Sequence, residues 1–145
     1  MKTTRNAGFT VIELIVAVTI VCLLVAVAIA SFQDHMTRKA RVQAKQAMID
    51  AAEWLRHQHT TSGTYLVKLP ITQAPGEGDA AYRIHLLSEP VTASDPNSIF
   101  PATSASSYTV LAVPVDADAC GTLMLDSAGR TGVLGKGALV ADCWR

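Results

Sequence analysis

The stretch Gly8-Phe9-Thr10-Val11-Ile12-Glu13-Leu14, continued without a further charge through IVAVTIVCLLVAVAIASF to Phe32, decides how the rest of the chain is read. Twenty of the twenty-four residues from 9 to 32 are apolar, and Glu13 alone is charged. At about 1.5 Å rise per residue, about twenty helical residues cross the roughly 30 Å hydrocarbon layer of a bilayer. The segment is therefore long enough to span a membrane. Lys2 and Arg5 precede it, and positive flanks stay on the cytoplasmic side, so the rest of the chain is expected outside the cytoplasm. A cleaved secretory signal needs an apolar run of only about 7 to 15 residues with small residues after it. Ala28 and Ala30 are small, but the run is too long. A plain signal anchor fits the length and leaves Glu13 unexplained. A carboxylate there costs about 2 to 3 kcal/mol, and an acid inside a membrane segment is by default a functional group.

Beyond this block the remainder of the 145-residue chain reads as an ordinary globular domain. Half of the chain is hydrophobic, 17% is charged, and twelve Lys+Arg balance twelve Asp+Glu. That composition excludes intrinsic disorder, a general nucleic-acid coat and a polybasic membrane binder. Neither Gly nor Pro occurs between Gly8 and Gly63, so nothing interrupts a helix over residues 9–59, roughly 75 Å at 1.5 Å per residue. Its first half, residues 9–32, is apolar all round. In its second half, residues 33–59, Met36, Ala40, Ala44, Ala47, Met48, Ala51 and Leu55 recur at three- and four-residue steps, the stripe of a helix that packs on a sheet.

Residues 60–80 carry Ser62-Gly63, Pro70, Pro75, Gly76 and Gly78 and read as a connecting loop. Strand patterns fill residues 81–145: Tyr82, Ile84 and Leu86 alternate with Arg83 and His85, residues 108–115 are apolar or β-branched, and residues 121–126 lead through Ser127-Ala128-Gly129 to a return at 131–134. Residues 90–107, rich in Ser, Pro and Ala, read as a long surface loop. The expected fold is α+β: one long N-terminal helix against a three- or four-stranded antiparallel meander.

With its basic start, Ala7-Gly8-Phe9-Thr10-Val11-Ile12-Glu13-Leu14 and apolar run, the N-terminus resembles that of type IV pilins and their pseudopilin relatives. The resemblance implies a leader of residues 1–8, removed by a prepilin peptidase between Gly8 and Phe9, with methylation of the new Phe9 amine. Gly8 offers no side chain to obstruct that cut, and the cut removes Lys2 and Arg5, the anchor charges. It also implies that Glu13 neutralises the N-terminal amine of a neighbouring subunit during assembly; such a pair in a low-dielectric core is worth several kcal/mol before desolvation is subtracted. Major pilins of the family often carry a glycine and a proline inside the first helix, where this chain has Cys22 and Ala30.

Cys22 lies in the apolar run and behaves as a small hydrophobe. Cys120 and Cys143 then form an even pair in an oxidising compartment, so a disulfide is expected. In type IV pilins a loop bounded in this way is exposed on the filament and varies with ligand. The run Cys120-Gly121-Thr122-Leu123-Met124-Leu125-Asp126, with Gly129-Arg130-Thr131 and Asp142-Cys143-Trp144, is similar to minor pilins of the PilE type.

Neither a nucleophile elbow, a phosphate loop nor a metal-spaced Cys/His set is present in the sequence, and no enzyme, cofactor or metal is expected. His57 and His59 are two apart on a helix and face apart. Asp116, Asp118 and Asp126 could offer oxygens to calcium, but their pattern reads as a solvated turn. Arg38, Lys39, Arg41 and Lys45 could touch headgroups or line a filament, although solvation explains them equally. Arg130, Lys136 and Arg145 with Trp144 form a candidate basic patch with one stacking ring for DNA. From residue 60 onward five Lys+Arg stand against eight Asp+Glu, which opposes long-range steering toward phosphate.

The resulting expectation is a structural, minor type IV pilus subunit. It is stored as a single-pass inner-membrane protein with a periplasmic C-terminus and then built into an extracellular pilus serving motility, adhesion or DNA uptake. Its expected partners are other pilins, prepilin peptidase, the inner-membrane assembly platform and the membrane, with DNA as a further ligand. A type II secretion pseudopilin, a DNA-binding competence pilin and a signal-anchored periplasmic binding module are the alternatives.

Overall fold

The computed structural model describes residues 10–94 and 98–145. Gly8 and Phe9, the expected processing site, lie outside the described residues. The chain forms two compact units, Met1–Met36 and Thr37–Arg145, and helix α1 (Val11–Ser62) contributes to both. In the first unit the helix opens with the backbone N–H of Leu14 on the Thr10 carbonyl at 3.2 Å and that of Glu13 on Thr10 Oγ1 at 3.4 Å. Thr10 Oγ1 thus satisfies one of the N–H groups that a helix start leaves unpaired, that of Glu13. From there the large apolar side chains stay uncovered: Leu23 is 70% and Val27 73% exposed. None of the apolar window is buried, and it is long and apolar enough to cross a membrane.

In the second unit the same helix becomes one-sided. Ala44, Met48, Ala51, Ala52 and Leu55 are buried, at the steps of three and four that place residues on one helical face. The helix runs to Ser62, three residues beyond the expected end, and closes with Gly63 N–H on the His59 carbonyl. The face packs on a five-stranded antiparallel sheet of order β1-β2-β5-β6-β7, comprising β1 (Gln73–Ala74), β2 (Tyr82–Leu86), β5 (Thr109–Pro114), β6 (Leu123–Asp126) and β7 (Thr131–Val133). Registers Ile84↔Ala112, Val110↔Leu125 and Leu123↔Val133 put Tyr82, Ile84, Val110, Ala112, Leu123 and Val133 into the core under α1. The α+β arrangement of one long helix, an antiparallel sheet and a C-terminal disulfide is as expected.

Two segments differ from the sequence expectation. The 60–80 connection contributes edge strand β1, where Ala74 is buried and pairs with Tyr82. The expected surface loop at 90–107 contains a separate hairpin, β3 (Val91–Thr92) with β4 (Ile99–Phe100). Its Phe100 is 1% exposed and packs with Leu87, Ala93, Leu111 and Met124 in a second cluster. Residues 111 and 124 point to the opposite side from 110, 112 and 123 because strand side chains alternate, so the sheet is buried on both faces. Gly132 makes this possible: a Cβ there would lie 2.5 Å from Phe100 Cε2.

Cys120 and Cys143 form the expected disulfide, with Cα atoms 5.8 Å apart. It closes a chain of 23 residues' separation around β6, β7 and the short helix α2 (Val140–Cys143). The loop is drawn tight at Gly135, whose N–H donates to the Cys120 carbonyl and where a Cβ would lie 2.3 Å from the Ala119 carbonyl oxygen.

Candidate functional site: a cationic face beside the disulfide

Where α1 meets the disulfide loop, one carboxylate organises three elements. Arg41 Nη2 donates to Asp118 Oδ1 at 2.8 Å and its Nε to Oδ2 at 3.3 Å. Tyr82 Oη, from β2, donates to Oδ2 at 2.6 Å, and the Cys120 N–H donates to Oδ1 at 2.7 Å. The Asp118 side chain is 4% exposed and that of Arg41 16%. Burial pushes the Asp118 carboxyl up, but the Tyr82 hydroxyl, the Arg41 guanidinium and the Cys120 N–H outweigh it and hold the group below its ordinary value. The Tyr82 hydroxyl is driven well above its ordinary value by burial first and Asp118 second. For Arg41 burial opposes the charge, and the contacts with Asp118 overcome it and raise the value. Asp118, read as part of a solvated turn, is thus the buried half of an ion pair, and Arg41 is its other half.

Around this fixed pair lie two cavities that share Arg41, Asp142 and Cys143. The larger, about 480 Å³, is also lined by Arg38, Val42, Lys45 and Arg145. The other, about 370 Å³, reaches Lys136 and the backbone around Cys120. Helical spacing puts Arg38, Arg41 and Lys45 on one side of α1, while the disulfide holds Lys136 and Arg145 opposite. Lys45 Nζ donates to the main-chain oxygen of Arg145, joining residues a hundred positions apart. Burial first, and repulsion from Arg41 second, lower the Lys45 ammonium below its ordinary value. Among the described residues Arg38, Lys45, Lys136 and Arg145 pair with no Asp or Glu side chain.

The expected patch of Arg130, Lys136, Arg145 and Trp144 is therefore split. Lys136 and Arg145 border the cationic face. Arg130 is tied by Nε to Asp126 Oδ2 at 2.6 Å and lies over the Phe100 ring at 5.4 Å. Asp126 is 2% exposed and also accepts the Ala128 and Arg130 N–H groups, so it braces the turn. Trp144 does not offer a free stacking ring: its Nε1–H donates to the Gly132 carbonyl at 3.1 Å, and the ring packs against the main core. Their places are taken by Arg38 and Lys45. In the sequence these two belong to a separate cluster with Lys39 and Arg41, and only folding brings α1 beside Arg145. Glu13 lies in the first turn of α1, and His59 stacks on Tyr65 with centroids 4.2 Å apart.

The family model described as type IV minor pilin ComP, DNA uptake sequence receptor, matches residues 30–124. The prokaryotic N-terminal methylation motif matches residues 3–30. No curated protein matches the chain. Among solved structures, the chain is similar to the non-core minor pilin PilV of Neisseria meningitidis, with 14% identity, 73% of this chain and 94% of that chain covered, and a TM-score of 0.48. The first match covers more than half of the sequence and stops before Lys136, Asp142 and Arg145. The chain belongs to the type IV minor pilin family of the ComP type.

Proposed function

We propose that this minor pilin subunit is a DNA-capturing, non-enzymatic component of a type IV pilus. In this reading the leader of residues 1–8 is removed after Gly8 and Phe9 is methylated. Residues 9–32 anchor the stored subunit in the inner membrane, with residues 33–145 periplasmic. Glu13 pairs with a neighbouring subunit's new amine during assembly, and prepilin peptidase, the assembly platform and other pilins are the partners. A head-to-tail contact that does not close produces a helical fibre, and an uncovered apolar helix supplies a core for it.

The DNA reading rests on one observation: four cations from opposite ends of the domain line adjoining cavities, none of them paired with an Asp or Glu side chain. The matching family's description names a DNA uptake sequence receptor, which supports the same ligand. Within residues 37–145 Lys+Arg and Asp+Glu are equal in number, so attraction is local contact rather than steering. Engagement of about four phosphates gives a slope of log K against log salt of about −3.6.

The test is fluorescence anisotropy of a labelled duplex with the full chain in detergent. The double variant Lys45→Glu/Arg145→Glu is expected to bind at least about tenfold more weakly, with a shallower salt slope. Arg83→Glu, exposed on β2 away from the cavities, leaves both unchanged. Equal losses in the two variants, or no duplex binding at low salt, contradict the DNA reading.

A further inference from the structure

Asp142 is out of place on a surface that binds phosphate. It lines both cavities, in the company of Arg38, Arg41, Lys45, Lys136 and Arg145. It is exposed, and its carboxylate has neither a hydrogen bond nor an ion pair among the described residues. Two of these donors are committed elsewhere, Arg41 to Asp118 and Lys45 to the main-chain oxygen of Arg145, and none of the five bonds the Asp142 carboxylate. Only its backbone is engaged, through the N–H on the Leu139 carbonyl. Helix α2 has four residues and no side-chain cap, so a charge–dipole role for the carboxylate is small. Against a polyanion this group repels every sequence, and it serves no partner in the free protein.

The same geometry suits a contact with a base. Phosphate contacts position a protein on a duplex, and contacts to base edges specify the sequence. A carboxylate accepts hydrogen bonds and donates none. In the major groove cytosine presents its N4 amino group and carries no acceptor of its own. Guanine presents two acceptors, thymine one, and adenine sets its N6 amino group beside the N7 acceptor. A carboxylate between phosphate-binding cations is thus attracted by cytosine and repelled by the other three bases. We propose that Asp142 is a specificity-determining residue, accepting a hydrogen bond from cytosine N4 in a duplex held by the surrounding cations. This rests on the DNA reading above and extends it from backbone capture to base choice.

The experiment is selection from a duplex library with a randomised core and constant flanks, using the full chain in detergent as wild type, Asp142→Ala and Asp142→Asn. Wild type is expected to enrich cytosine about tenfold at one position, in line with a good base contact. Asp142→Ala loses that enrichment while its affinity for the unselected library rises two- to fivefold. Asp142→Asn moves the preference at the same position from cytosine to adenine, because an amide can donate to N7 and accept from N6. Simple removal of a repulsive charge cannot produce that exchange. The proposal is overturned by the same enriched sequence in all three proteins, or by affinity gains with no base preference in wild type. Absence of any duplex binding by wild type sinks the DNA reading itself.

Discussion

Replacement of Asp118 by Ala is expected to lower the stability of the globular unit by about 3 to 5 kcal/mol, the range for removing one partner of a buried ion pair. The substitution leaves the Arg41 guanidinium, the Tyr82 hydroxyl and the Cys120 N–H without their shared acceptor, and each of these buried groups then costs free energy. Tyr82→Phe removes a single donor and costs about 1 kcal/mol. Denaturant unfolding of the full chain in detergent, followed by Trp54 and Trp144 fluorescence, gives both values. The sign of the pH dependence follows from the depressed Asp118 value. Its stabilisation is complete above the ordinary carboxylate range and is lost as pH falls through the lower, folded-state value. Asp118→Asn flattens that acid limb. A loss below about 1 kcal/mol for Asp118→Ala contradicts the clamp.

Removal of the disulfide by Cys120→Ser/Cys143→Ser is expected to cost about 3 kcal/mol from the chain entropy of a closed loop of this length. Its effect reaches further than stability. The disulfide is the covalent tie that holds Lys136 and Arg145 opposite Arg38 and Lys45. The double serine variant, at a temperature where it remains folded, should therefore bind duplex more weakly and with a shallower salt slope. Unfolding midpoints and anisotropy on the same preparations separate the two effects. Unchanged DNA affinity in the folded double variant shows that the loop cations do not contribute.

The parts of the fold legible in the sequence are those with a period or a motif. Tyr82, Ile84 and their polar neighbours alternate as a half-buried strand must, and the pattern was found at that position. The run without Gly or Pro became α1, and the cysteine pair became the disulfide. Strands of two residues carry no period, which hid β1 and the β3–β4 hairpin. Phe100 gave no local sign that it caps the outer sheet face, since its pocket is made by Gly132, more than thirty residues away. The candidate site was half legible for the same reason. Lys136 and Arg145 are legible as cations, but the acids and carbonyls that engage Arg130, Arg41 and Trp144 are fixed by tertiary contacts. Arg38 and Lys45 join the face only because α1 packs beside the chain's last turn.

DNA capture at a cell surface requires that this chain reach the filament, and the direct measurement is its intact mass and N-terminal sequence in sheared surface filaments. The account predicts a chain beginning at methylated Phe9, with a mass two hydrogens below that of the reduced form. Recovery from membranes alone, with Met1 as the first residue, contradicts it.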